Sequence, residues 1–351
     1  YHKKTVLEHL TFGVNRGEIL TLIGPNGAGK STVLKSLAKQ LGPIAGTVYI
    51  DGKNLTGFGR EALSKTLAVV FTQRLRTELM TCRDVVSAGR YPYTGRFGIL
   101  GAADRKKVEE AMALVRISSF ADEDFTKISD GQRQRVLLAR AICQEPDIIL
   151  LDEPTSHLDM KHKVEFLSLL QRMAREKRLS VIMSLHELDL AGKVSDKIMC
   201  VGTHCVERFG TPREVFEEDY IKALFGVKTG SFDEASCGME LEAPKGDPKV
   251  FVLAGAASGQ ETFRELQRKG VAFATGILYE NDMDFPAAKA LAAAYVCTGA
   301  TERIGTERFE QAKALAEKCA YAICCRDRFA PWEPENRELY ELLVNKPPYL
   351  G

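Results

Sequence analysis

From Tyr1 to about Phe225, short apolar runs of strand length recur between longer stretches with helical spacing. Ile19–Ile23, Leu67–Phe71, Ile148–Leu151 and Ser180–Ser184 are such runs. Strands that alternate with helices predict an α/β sheet. Between Gly226 and Pro248 the period is lost among Gly, Pro, Ser and acids, which predicts a domain end near 240 and a linker over 241–248. The alternation then resumes over 249–351. Val250–Ala254 reads as a strand, Gly255–Gly259 as a turn, Glu261–Lys269 as a helix and Val271–Leu278 as a strand. Pro286–Ala294, Arg308–Cys319 and Glu335–Val344 read as helices, and Ala320–Cys325 as a buried strand. This second domain is expected to be small and Rossmann-like.

A chain of 351 residues is long enough for two self-sufficient cores. Its 48 Lys and Arg against 47 Asp and Glu give no overall attraction to nucleic acid or anionic lipid. Nine cysteines lie without paired Cys-x-x-Cys spacing, which predicts reduced thiols in a reducing compartment. Cys319, Cys324 and Cys325 read as buried thiols, and Trp332, between Pro331 and Glu333, as a packing residue in a loop. No apolar run of roughly eighteen residues and no leader pattern is present, so any membrane role is expected to come from a partner.

The chemistry concentrates at the ends of the strand-like runs. Gly24-Pro25-Asn26-Gly27-Ala28-Gly29-Lys30-Ser31-Thr32 follows Ile19–Ile23 and opens a helix over Ser31–Ala38. Glycines suit such a loop because a side chain would stop backbone N–H groups from converging on a phosphate. Lys30 would reach the β- and γ-phosphates and the Ser31 hydroxyl would ligate Mg²⁺, beside Asn26, Gly27, Gly29 and Thr32. The helix N-terminus adds a positive dipole end. Ile148–Leu151 ends in Asp152 and Glu153, at the edge where ligands gather in a parallel sheet. Asp152 can hold Mg²⁺ through its water shell, and Glu153 can polarise the attacking water as general base.

Ile128-Ser129-Asp130-Gly131-Gln132-Arg133-Gln134-Arg135 precedes a helical stretch over Val136–Cys143. Ser129 and the N–H groups of Gly131 and Gln132 would form an anion site at that helix N-terminus. The segment resembles the signature of ABC ATPases, usually Leu-Ser-Gly-Gly-Gln, and departs from it at Ile128 and Asp130. Asp at the third position resembles the subgroup that serves iron-chelate, haem and cobalamin importers.

The resemblance covers Tyr1 to about Phe225. It implies a P-loop ABC ATPase domain with a helical signature subdomain, working as a homodimer in which each signature caps the γ-phosphate held by the other copy's phosphate loop. It further implies that Gln73 senses Mg²⁺, that Ser156-His157-Leu158-Asp159 couples the two sites, that His186 contacts the γ-phosphate, and that Tyr1 stacks on adenine. Met80–Val86 and Gly89–Gly95 resemble the start of the helical subdomain in siderophore, haem and vitamin B12 import ATPases. There, Arg90, Tyr91 and Tyr93 either meet a coupling helix of a permease or, for the tyrosines, pack the subdomain. The implied protein is an ATP hydrolase peripheral to the cytoplasmic face of the membrane. Its implied partners are transmembrane permease subunits and, indirectly, a substrate-binding protein, with no nucleic acid.

Two rivals stand beside this reading. A soluble ABC ATPase acting on DNA or ribosomes usually carries two cassettes or a long coiled coil, and this chain has one cassette and no sustained heptads. Alternatively, the second domain senses a ligand and gates the ATPase. Gly255–Gly259 lacks the full Gly-x-Gly-x-x-Gly fingerprint that would assign it a dinucleotide.

Overall fold

A computed structural model describes residues 7–8, 10–42, 45–71, 79–95, 97–156, 158–234 and 236–349. Tyr1, Gln73 and His157 therefore lie outside the described residues. The chain divides into two compact units, Tyr1–Phe216 and Glu217–Gly351.

The first unit holds strands β1 (Leu7–Glu8), β2 (Ile19–Ile23), β3 (Tyr49–Ile50), β4 (Lys53–Asn54), β5 (Leu67–Val70), β6 (Ile148–Leu151), β7 (Ser180–Ser184), β8 (Lys197–Val201) and β9 (His204–Gly210). Its helices are α1 (Lys30–Leu37), α2 (Arg60–Thr66), α3 (Cys82–Ser87), α4 (Ala102–Leu114), α5 (Asp130–Cys143), α6 (Met160–Lys177), α7 (Leu188–Val194) and α8 (Pro212–Val215). A seven-stranded sheet runs β1-β9-β8-β2-β7-β6-β5. From β8 to β5 all neighbours are parallel, and β2 and β7 are buried at every residue. Such strands are mostly apolar on both faces, which is why Ile-Leu-Thr-Leu-Ile reads as a run interrupted only by Thr21. The register sets Leu22 beside Ser184 and Leu151 beside Met183, so β2, β6 and β7 end at one edge.

α3, α4 and α5 pack together as the helical subdomain. Each presents a stripe at helical spacing: Cys82, Val85 and Val86 on α3, and Val108, Ala111 and Met112 on α4. Arg90 sits inside this bundle, 6% exposed. It donates to Asp104 at 3.0 Å, to the Cys143 carbonyl at 2.8 Å and to Glu145 at 3.0 Å, and its guanidinium lies 3.9 Å from the Tyr93 ring centre. Tyr93 in turn donates to the Gln144 carbonyl at 2.9 Å. The structure thus corrects one of the three candidate docking residues, Arg90, which is buried. Arg90 braces the subdomain from within, whereas Tyr91 and Tyr93, 61% and 38% exposed, both keep surface facing outward.

Burial raises the Glu145 pKa, but hydrogen bonds from Lys107 and Arg90 outweigh it and hold the carboxyl below the ordinary 4.5. Asp104 is held below 3.8, mainly by Arg90 and then by the Gly101 N–H. Carboxyls depressed on folding stabilise the fold above their unfolded pKa, and that contribution is lost as pH falls through the folded value. Unfolding free energy from urea titrations is expected to fall as pH drops below about 4.5. The fall is expected to be shallower in Arg90→Met than in the parent; equal slopes would remove Arg90 as the cause.

The second unit contains α9 (Glu218–Phe225), the hairpin β10 (Ser231–Asp233) and β11 (Gly238–Glu240), strands β12 (Val250–Leu253), β13 (Phe273–Tyr279), β14 (Ala294–Thr298) and β15 (Tyr321–Cys324), and helices α10 (Gln260–Arg268), α11 (Phe285–Leu291), α12 (Thr306–Lys318) and α13 (Pro334–Leu343). The four-stranded sheet runs β14-β13-β12-β15, all parallel, which is the expected Rossmann-like layer. Alternation along β12 splits the core. Phe251 and Leu253 join Phe309, Ala312 and Leu339 on one face, while Val250 and Val252 join Phe263, Leu266 and Leu291 on the other.

Several expectations change here. Residues 217–240 belong to the second unit, where α9 packs on β10 and Arg264 of α10 pairs with Glu240 of β11. The polar turn that joins β10 to β11 hides that hairpin from a periodicity reading. The alanine run before Tyr295 reads as helix, yet Ala294 pairs with Ala274 and Thr298 with Tyr279, so sheet pairing overrides helix propensity. None of the nine cysteines is in a disulfide, but only Cys319 of the trio is buried; Cys325 is half-buried and Cys324 exposed. Trp332 is 66% exposed and does not pack. Among the described residues no helix is long and apolar enough to cross a membrane.

Candidate functional site

Three strand ends build the site. β2 passes into the phosphate loop through Gly24, whose φ is +143°; a Cβ there would lie 2.1 Å from the Val201 carbonyl oxygen. Gly29, at φ +111°, caps α1 from the left-handed region, so glycine is required at both positions. Lys30 follows on the first turn of α1, 5% exposed, with Nζ donating to the carbonyls of Gly24 at 2.6 Å and Pro25 at 3.0 Å. Burial lowers its pKa, partly offset by the charges of Glu153 and Asp152. Those acids therefore lie within electrostatic reach of the lysine. Asn26 and Gly27 are exposed at the crest of the loop, and Ser31 and Thr32 follow on the helix.

Beyond β6, Asp152 is 7% exposed and its N–H donates to the Val70 carbonyl at 3.0 Å. Glu153 takes φ +49°, which turns the chain sharply at the strand end. Its Oε1 lies 2.7 Å from His186 Nε2, and both side chains keep about a third of their surface exposed, 34% and 38%. Lys30, Asp152, Glu153 and His186 thus share one neighbourhood, as the sequence predicts.

The sequence reading missed Ser184, a fully buried hydroxyl at the end of β7. It donates to Asp152 Oδ1 at 2.8 Å and accepts the Glu153 N–H at 2.8 Å. Its signal is a hydroxyl closing the apolar run Ser-Val-Ile-Met-Ser. Also missed was the relay in which Thr155 and Lys163 both donate to Glu187, at 3.1 and 2.5 Å. Burial raises the Glu187 pKa, but Lys163 leads the contacts that hold it below the ordinary value.

The signature residues sit on the helical subdomain. Ser129 caps α5, accepting the Gln132 N–H at 3.2 Å, while Gln132 Oε1 accepts the Ser129 N–H at 2.9 Å. Asp130, at the position usually held by glycine, lies in the first helical turn and pairs with Arg133 at 2.6 Å. A Cβ on Gly131 would stand 3.4 Å from Leu158, so the signature and the segment before α6 adjoin within one chain. Asp159 caps α6 by accepting the His162 N–H at 2.9 Å.

In the second unit, Gly255, Ala256 and Ala257 take φ of +126°, +54° and +63° in succession. Two carboxylates occupy the amides this exposes. Asp284 accepts the N–H groups of Gly255 and Gly259, both at 2.9 Å, and Asp282 accepts that of Ala256 at 2.7 Å. Among the described residues, no group of three or more His, Cys, Asp and Glu could hold a metal ion.

Residues 7–156 match the family described as ABC transporter, and residues 273–350 match the MJ0874 family. An uncharacterized ABC transporter ATP-binding protein of Methanocaldococcus jannaschii is 40% identical over 267 residues, covering 76% of this chain and 92% of that protein. The cobalamin import ATP-binding protein of Halobacterium salinarum is 33% identical over 291 residues, 81% of this chain and 73% of that protein. Among solved structures, a dimeric ATP-binding cassette in a post-hydrolysis state with ADP and Pi is 29% identical. It covers 59% of this chain and 90% of its own, with a TM-score of 0.53.

Proposed function

The chain belongs to the ABC transporter ATP-binding proteins and is an ATP hydrolase, and from that premise we propose that it energises uptake of an iron chelate, haem or cobalamin through a separate permease. The Glu153–His186 pair, 2.7 Å apart beside Lys30, carries the catalytic part of this reading. Lys30 binds the β- and γ-phosphates with the loop amides of Asn26, Gly27 and Gly29, and Thr32 supports the same end of α1. Glu153 takes the proton of the attacking water as its oxygen bonds to the γ-phosphorus and the bond to the β–γ bridging oxygen breaks, leaving ADP and inorganic phosphate. His186 holds the carboxylate in line and touches the γ-phosphate.

The donor set suits a hard cation: a hydroxyl at Ser31 and a buried carboxylate at Asp152, to which the family resemblance adds Gln73. Mg²⁺ bound there supplies charge neutralisation for the phosphates. Ser184 keeps Asp152 and Glu153 in fixed relation while this happens. Ser129, Gly131, Gln132 and Asp159 act on the second nucleotide, that of the dimer partner, and Tyr1 stacks on adenine. The permease and, through it, a substrate-binding protein complete the assembly on the cytoplasmic face of the membrane, with no part for nucleic acid.

The cobalamin import relative and the Asp130 variant of the signature support the cargo class. Proteoliposomes holding a permease and this chain are expected to accumulate cobalamin, haem or a ferric siderophore only with ATP inside the lumen that faces the ATPase. Retained hydrolysis without uptake of any of the three would reject the cargo class and leave the ATPase standing.

A further inference from the structure

We propose that the second unit carries a ligand site of its own, a cleft over the C-terminal ends of β13 and β14 that takes a planar heterocycle bearing an anionic group, of mononucleotide size. Ligands of open parallel sheets gather at that edge, usually where strand order reverses, here between β12 and β15. That position is shut: Asp282 and Asp284 already hold the amides that would cradle a phosphate, and their charge would repel one.

The other half of the edge is open. A cleft of about 270 Å³ is lined by Tyr279, Asn281, Thr301, Glu302, Arg303 and Trp332. Tyr279 closes β13 opposite Thr298, and the 301–303 segment leaves β14 just beyond. An exposed tryptophan alone means little. This one stands on a braced loop: Arg326 and Glu333 form an ion pair with side chains only 12% and 9% exposed, and Arg326 lies 4.6 Å from the Phe329 ring centre. On the facing wall, Glu302 accepts the Gly299 N–H at 3.3 Å and returns its own N–H to the Gly299 carbonyl at 3.1 Å. Walls fixed before binding reduce the entropy a ligand must overcome.

The lining then states the ligand's chemistry. Trp332 and Tyr279 offer aromatic surface for a flat ring. Asn281 and Thr301 supply donors and acceptors for a ring edge. Glu302 and Arg303 set opposite charges side by side on this wall, and Arg303 is the lining group that can pair with an anion. At about 270 Å³ the cleft lies just below the usual range of small-ligand sites, roughly 300–1,000 Å³, so it takes a mononucleotide at most and excludes a corrinoid or siderophore.

Trp332 is the only tryptophan in the sequence, so its fluorescence reports this cleft alone. Measured on the full chain carrying Lys30→Ala, which weakens the ATPase site, AMP or GMP is expected to quench it saturably. Arg303→Ala, and separately Arg303→Gln, is expected to raise Kd at least about tenfold, the loss of one charge-assisted contact. Ribose 5-phosphate and adenosine, which each lack half the recognised chemistry, are expected to bind more weakly than AMP. Failure of both mononucleotides to quench, quenching that the Arg303 variants leave unchanged, or adenosine binding as tightly as AMP would each overturn the proposal.

Discussion

Replacing Glu153 with Gln is expected to leave nucleotide binding intact and to slow turnover by at least about 10²-fold, the lower end of what a positioned general base contributes. The amide keeps the size of the carboxylate and an oxygen that can still face His186 Nε2, 2.7 Å away in the parent. What it loses is the capacity to accept the water's proton. Bound ATP should then persist, and on the proposal that each nucleotide is held between two chains, the variant should elute as a dimer when MgATP is present and as a monomer without it. Phosphate release and size-exclusion chromatography read the two halves separately. Turnover at the parent rate would remove Glu153 as the base; lost turnover without ATP-dependent dimers would keep the base and reject the shared site.

Arg90→Ala should cost the first unit about 3 kcal/mol, the lower end of what breaking a buried ion pair costs. The lower figure is chosen because Glu145 keeps 45% of its side chain exposed and water can take over part of its solvation, whereas Asp104 keeps only 17%. The alanine leaves the Cys143 carbonyl and Asp104 without their buried donor and removes the plate on which Tyr93 rests. Lysine should rescue little, since a single ammonium cannot reproduce a fork that addresses Asp104 through Nε and Glu145 through a terminal nitrogen. Circular dichroism during urea unfolding gives the measurement. A loss below about 1 kcal/mol would return Arg90 to the surface role that its motif position suggests.

The strand-end cluster of Lys30, Asp152, Glu153 and His186 was legible because its requirements are local. A phosphate loop needs glycines at fixed offsets from a lysine, and a buried strand ending in two acids is rare enough to be noticed. Central strands β2, β6 and β7 were legible for the same reason, since burial on both faces leaves them mostly apolar, with only Thr21, Ser180 and Ser184 as polar positions. Ser184 escaped because a strand-end serine is commonplace until the parallel register sets it beside Asp152. Arg90 was misread because sequence shows a charge, whereas its burial depends on Asp104 and Glu145, residues 14 and 55 positions away. β14 was hidden by alanines whose intrinsic preference is helical, and the β10–β11 hairpin by strands too short to show alternation.

Ser184 has a consequence for how variation at this site combines. One hydroxyl proton and one lone pair tie the carboxylate of Asp152 to the backbone of Glu153. Substitutions at these three positions are therefore epistatic: an alanine at 184 loosens both acids together, and once it is present, changing either acid has less left to disturb. The sum of the three single effects would overstate the combined effect, and a library that randomises them independently would sample mostly combinations in which the first substitution has already spoiled the background for the second.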